Sequence, residues 1–306
     1  MIYLKIVFMG TPEFAVPILK GLNEKYEIAL VVSQPNRAKK KGSIIPTPVA
    51  LAASELGLEL FQPQSIKNDY EKIILSDADV LVTAAYGQYV PSKILKKFKK
   101  CINVHGSLLP FHRGGAPIQR AIMNGDEYTG ITIMEMSKRL DAGVMYAKKE
   151  YKIASDDNAK TVFDKLSIIG KNLLLEVIED IYNGINIGIP QDDSIATYSP
   201  NIMPDEEIID ITKDAVTIFN QVRGLAMDPG AYLVVNDIKL KVFKASIVKC
   251  DEYEAGYVIE SKKQIVIKTG KDAISLDLVL YPGKKMLSGR DFSNGQKLFI
   301  KGESII

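Results

Sequence analysis

Asn103 and His105 stand two residues apart in the stretch NVHGSLLP, residues 103–110. If the stretch enters from a strand, both side chains leave the same face. A carboxamide and an imidazole side by side can both donate to a developing oxyanion. The imidazole can also move a proton near neutral pH. Asp141, in SKRLDAGVMY, follows another strand-like run. Two strand ends of one sheet can bring it beside His105, where a carboxylate would favour the imidazolium and fix its orientation. The only other histidine, His112, lies in a glycine-flanked loop beside Arg113, where a surface contact is expected. No serine or cysteine sits in a nucleophile elbow. Two histidines without a carboxylate cluster make a poor metal site. The expected chemistry is direct transfer between two bound substrates, with no metal.

These residues need a sheet edge to hold them. Residues 3–10 form an apolar run ending at Gly10-Thr11-Pro12, which predicts a buried parallel strand, a turn and a helix from 12 to about 22. The pattern repeats with a strand from Glu27 and a helix that has Thr47 as N-cap, Pro48 at its first position and Gly57 near its end. A third strand is predicted in DADVLVTAAYG, a short basic helix in PSKILKKFKK, and a fourth strand in CINVHGS. A helix from Pro117 to about Gly125, a strand in TGITIMEMS and a long amphipathic helix ending at Gly184 follow. Strands alternating with helices predict a Rossmann-like α/β domain with a mostly parallel sheet. Ligands of such sheets bind at the carboxyl ends of the strands, where Asn103 and His105 fall. The first turn carries one glycine rather than G-x-G-x-x-G, and Pro12 removes an amide, so the usual dinucleotide site is missing.

The alternation stops near residue 188, so residues 1–188 are expected to form the catalytic domain. Residues 189–206 are polar and proline-bearing and are expected to be a linker. After the helix DAVTIFNQVRGL, five short strand signals at roughly ten-residue spacing predict a small OB-like β-barrel domain within 207–306.

Composition narrows the class of protein. At 306 residues, 46% apolar and 25% charged, the chain has the make-up of a soluble globular protein with a sizeable core. Cys101 and Cys250, the two cysteines, make neither a disulfide framework nor a zinc set. No apolar run approaches 18 residues and no signal segment is visible, so a cytoplasmic protein is expected. A net charge of +2 is neutral as to nucleic acid, so charge distribution must decide. Arg37, Lys39, Lys40 and Lys41 form a basic loop after the second strand. That places it on the same sheet edge as Asn103 and His105, where a phosphate backbone is a plausible neighbour.

Together these residues resemble the methionyl-tRNA formyltransferase family over essentially the whole chain. The likeness runs through FMGTPEFAVP, VVSQPNR, AYGQYVP, CINVHGSLLPFHRGGAPIQRAI, GDEYTGITIMEM, LDAGVMY and KVFKASIV. The resemblance implies formyl transfer from 10-formyltetrahydrofolate, a co-substrate, to the α-amine of methionyl initiator tRNA. It makes Asn103, His105 and Asp141 the catalytic trio. It places Ser107, Leu108, Leu109 and Pro110 against the folate, with Tyr86, Gly87 and Gln88. It carries the basic loop to the tRNA acceptor stem. On the barrel, Lys239 and Lys241 share one strand face and are expected to meet tRNA, while Lys244 needs a bulge to join them. A monomer without membrane contact is expected. The chain departs from the family at Lys41, where the family carries arginine, and at 226–229, where Asn-Pro-Trp-Pro becomes Ala-Met-Asp-Pro. Two other readings compete: a formyltransferase for a small amine, which needs neither barrel nor basic loop, and a nucleic-acid-binding protein with a decayed site, which the intact trio disfavours.

Overall fold

Strands buried on both faces read as continuous apolar runs, and β1 (Lys5–Gly10), buried from Ile6 onward, lies inside the main sheet. The computed structural model describes residues 4–38, 44–226 and 228–306. The chain continues through α1 (Val16–Asn23), β2 (Glu27–Val32), the two-residue strands β3 (Arg37–Ala38) and β4 (Ile44–Ile45), α2 (Pro48–Glu55), β5 (Leu60–Phe61) and α3 (Glu71–Ile74). Next come β6 (Val80–Ala84), α4 (Ser92–Leu95), β7 (Lys100–His105), α5 (Pro117–Asn124), β8 (Tyr128–Glu135), β9 (Met145–Lys152) and α6 (Ala159–Tyr182).

The sheet order is β5-β2-β1-β6-β7-β8-β9. The first five strands run parallel, and β8 pairs antiparallel with both β7 and β9. The connections leave β1 in opposite directions, toward β2 and toward β6, so the β1/β6 crevice is the switch point of the sheet. Local signals are obeyed: Thr47 caps α2 by accepting from the Ala50 N–H, with Pro48 at its first position. The basic helix expected at 91–100 is a single turn, α4: Ile94 and Phe98 are buried in the core, and Lys99 N–H already pairs with Asp79 O. Strand β9 carries exposed Lys148, Lys149 and Glu150 and has no apolar alternation. It is the edge strand of the sheet, with β8 as its one strand neighbour there, so it needs none.

The chain divides into two compact units: residues 1–117, 128–152 and 163–200, and residues 118–127, 153–162 and 201–306. Residues 189–200, expected within a linker, thus belong to the first unit. Ile189 bridges Met145, and Tyr198 bridges Arg113.

In the second unit, Asp214 caps α7 (Ala215–Gly224) by accepting from the Thr217 N–H. It is followed by β10 (Ala231–Val235), β11 (Ile238–Val248), β12 (Val258–Glu260), β13 (Val266–Lys268), β14 (Ala273–Leu280), β15 (Met286–Ser288) and α8 (Gly289–Gly295). The antiparallel, barrel-like order is β10-β11-β14-β13-β12, with β15 on β14. Leu240, Val242, Val258, Ile267, Ile274, Leu276 and Phe292 fill its core. The register of β11 on β14 shifts between Val242 and Ala245. Val242 and Phe243 are therefore both buried, and Lys244 emerges exposed. Of the departure at 226–229, Met227 lies outside the described residues.

Candidate active site

Asn103 and His105 close the carboxyl end of β7. Asn103 lies opposite Thr83 of β6, and the Thr83 hydroxyl donates to Asn103 Oδ1 at 2.8 Å. The carboxamide is thereby oriented, and its Nδ2 has no hydrogen-bond partner among the described residues. His105 is 6% exposed. Its Nε2 lies 3.0 Å from the main-chain carbonyl of His112. A carbonyl can only accept, so Nε2 carries hydrogen. That leaves Nδ1 as the nitrogen facing chemistry, and Asp141 Oδ2 stands 3.8 Å from it. The separation is that of an ion pair and too long for a hydrogen bond.

Asp141 is held from two sides. The Gly114 N–H donates to its Oδ2 at 2.8 Å, and Gln191 Nε2 donates to its carbonyl at 2.8 Å. Its backbone has φ +46°, a conformation that non-glycine residues adopt only with support. A side chain at Gly114 would meet Ser199 O at 2.6 Å, which explains a glycine there.

His112 differs from its expected surface role. It is half-buried, its N–H donates to Thr197 Oγ1 at 2.9 Å, and its Nδ1 lies 2.7 Å from Ser199 Oγ. Arg113 beside it is 1% exposed, with bonds to Gln191 and Asp193. Arg139 and Arg113 both donate to Asp193 and hold its carboxyl below the usual range. The physical reason is the pairing of this loop with residues 197–199, which lie in the stretch expected to be linker.

The expected folate residues split by burial. Ser107 is buried and donates to Phe111 O at 2.6 Å. The buried Thr132 hydroxyl donates to Ser107 O at 2.7 Å and accepts from Leu109 N–H at 3.1 Å. Leu109 is 0% exposed and Pro110 is buried, so both serve the loop's interior. Leu108 is half-buried and packs on Gly130, where a Cβ would sit 2.6 Å from Leu108 Cδ2. At the switch point, the Thr11 hydroxyl and Gln34 Nε2 both donate to Tyr86 O. Gly87, at φ +89°, is exposed, and Gln88 Oε1 accepts from the Ile66 N–H. The Tyr86 hydroxyl is buried without a hydrogen-bond partner among the described residues, and burial pushes it up to about 12.

Of the expected tRNA residues, Lys39, Lys40 and Lys41 lie outside the described residues, and Arg37 begins β3. Lys239 Nζ sits 4.8 Å from the centre of the Tyr232 ring, and Lys241 Nζ donates to Pro229 O. Thr83, Gly114, Thr132, Gln191, Thr197 and Ser199 were not found from sequence. One signal was available: an eighteen-residue structureless stretch inside a compact protein is uncommon and usually functional.

Among the described residues, no three His, Cys, Asp or Glu side chains group as a metal site, and no helix is long and apolar enough to cross a membrane. Residues 4–178 match the formyl transferase family, and residues 201–297 match the formyl transferase C-terminal domain. The chain is 44% identical to a methionyl-tRNA formyltransferase of Lactobacillus acidophilus over 309 residues, covering 98% of each chain. Two solved structures share the fold at 18% identity. One is a methionyl-tRNA formyltransferase from Clostridium thermocellum, with TM-score 0.58 over 87% of this chain and 100% of that one. The other is HypX from Aquifex aeolicus in complex with tetrahydrofolic acid, with TM-score 0.68 over 99% of this chain and 49% of that one. The chain thus spans about half the length of HypX.

Proposed function

The chain belongs to the formyl transferase family, and from that premise we propose that it moves the formyl group of 10-formyltetrahydrofolate to the α-amine of methionyl initiator tRNA. The products are N-formylmethionyl-tRNA, used in translation initiation, and tetrahydrofolate. The observation that carries this reading is likeness to methionyl-tRNA formyltransferases at both ends of the chain, 98% of its length, with the second unit included. It is the 44% identity over nearly the whole chain, more than the presence of a second unit, that favours a tRNA acceptor over a small amine.

The trio suits the chemistry. The neutral amine attacks the formyl carbon, whose oxygen takes up negative charge. Asn103 Nδ2, fixed by Thr83, donates to that oxygen. His105, protonated at Nδ1 and anchored through Nε2, donates beside it, and Asp141 balances the imidazolium. Asp141, directly or through water, receives the proton that the amine loses. The same proton reaches N10 of the folate as the carbon–N10 bond breaks.

The described residues suit a folate. Exposed backbone at Ala85 and Gly87, both at positive φ, lines the switch point, and Leu108 offers apolar surface on the loop that follows His105. Catalysis is assigned to the first unit and tRNA binding to residues 207–306 with Arg37, Lys39, Lys40, Lys41, Lys239 and Lys241. We place the protein in the cytoplasm as a monomer, a state that size-exclusion chromatography with light scattering checks. Incubation with labelled formyl donor and either methionyl-tRNA or small amines tests the reaction. Label in methionyl-tRNA supports the reading, and label only in a small amine overturns it.

A further inference from the structure

We infer that Gln191 is a positioning residue that sets Asp141 against the His105 imidazole. The inference rests on the function proposed above. Asp141 occupies a backbone conformation that must be supported, at φ +46°. Gln191 Nε2 supplies that support by donating to both Asp141 O and Gly143 O, each at 2.8 Å. The amide cannot turn over. Arg113 Nε and Nη2 both end on Gln191 Oε1, at 3.0 and 2.7 Å, and a guanidinium can only donate. The buried Arg113 therefore dictates which end of Gln191 faces Asp141.

The geometry makes this placement matter. Asp141 Oδ2 and His105 Nδ1 are 3.8 Å apart, with no hydrogen bond of their own to fix the distance. Their attraction varies inversely with separation, so a loop that relaxes weakens it directly. The same stretch secures the other side of the ring. Arg113 N–H donates to Thr197 O, Ser199 N–H donates to Arg113 O, and His112 N–H donates to Thr197 Oγ1. These bonds fix the His112 carbonyl that His105 Nε2 uses. Residues 191–199 thus position both partners of one imidazole, and Gln191 is the member that holds the main chain from which the Asp141 carboxylate projects.

Formyl transfer to methionyl-tRNA is measured for the wild type, Gln191→Glu, Asp141→Ala and the double variant. Glutamate keeps an acceptor for Arg113 and removes both N–H donors. The expected result is a kcat lowered by about tenfold to a hundredfold, the scale of a misplaced reacting group, with each KM within about threefold. In the Asp141→Ala background the same change should cost less than about twofold, because residues acting through one another are not additive. Equal losses in both backgrounds, or no loss in the wild-type background, overturn the inference. Gln191→Met, read in the same two backgrounds by the same criteria, decides the matter if the glutamate variant does not fold. A wild type inert toward methionyl-tRNA, or an undiminished Asp141→Ala, overturns the functional reading and this inference with it. An active wild type, a crippled Asp141→Ala and an undamaged Gln191→Glu overturn the inference alone.

Discussion

His105 commits Nε2 to a main-chain carbonyl, and this separates the chemistry of the two histidines. His105→Ala removes the ring that faces Asp141, so kcat should fall by about 10² or more with the fold kept, the scale of acid–base and oxyanion contributions. His112 contributes its carbonyl to His105, and alanine keeps that carbonyl. His112→Ala should therefore stay within about fivefold of wild type, since the bond of its ring to Ser199 is not part of the His105–Asp141 pair. Single-turnover rates check both, and equal losses would mean that the wrong imidazole has been assigned. Leu109 belongs to the core at 0% exposure. Leu109→Ala should destabilise by about 2–5 kcal/mol, the range for buried leucines, and leave folate affinity unchanged. Urea denaturation and a folate titration test this together. A weakened Kd without reduced stability would return Leu109 to the folate site.

At the scale of elements, the bulge in β11 matters most for tRNA. Strand alternation alone turns Lys244 away from Lys239 and Lys241, but the shifted register on β14 leaves it exposed. Replacing Lys239, Lys241 and Lys244 with alanine should raise KM for methionyl-tRNA and leave KM for the folate as it was. The log–log salt slope should become shallower by roughly 0.7–0.9 for each phosphate that is no longer neutralised. The same measurement on Lys39→Ala, Lys40→Ala and Lys41→Ala combined tests the basic loop. A normal KM with an unchanged slope would make either set a solvated surface.

Across the molecule, buried groups that prefer the neutral form set an alkaline limit. Burial raises Tyr26 from 10.0 to about 12, with Glu179 adding to the effect. Burial alone does the same for Tyr86, and it lifts the Cys101 thiol from 9.0 to about 12, with Glu135 assisting. Each folded value lies above the unfolded one, so the unfolded chain releases these protons first. Their stabilisation is complete below the unfolded values and is lost as pH rises through about 12. The urea midpoint should accordingly decline from about pH 9 upward. Cys101→Ala should remove the earliest part of that decline, and a midpoint flat to pH 12 would contradict the burial of these groups.

Local chemistry made much of this protein legible from sequence alone. Apolar runs mark β1, β2, β6 and β7 because strands covered on both faces are built mostly from apolar residues. Thr47 and Pro48 mark the start of α2 because capping and a missing N–H are properties of one turn. Asn103 and His105 pair by the two-residue period of a strand, Asp141 is a candidate because it follows a neighbouring strand-like run, and the family resemblance makes the three a trio. Tertiary structure decided what depends on partners distant in sequence. Strand β9 is polar because it lies at an edge, so hydrophobic period has no purchase on it. Which nitrogen of His105 faces Asp141 depends on a carbonyl seven residues away, and the bulge at Phe243 depends on β14. Gln191 finds its partners 78 residues back at Arg113 and 50 residues back at Asp141. A polar glutamine in a proline-bearing stretch carries no periodicity, and only the folded chain brings it under the site.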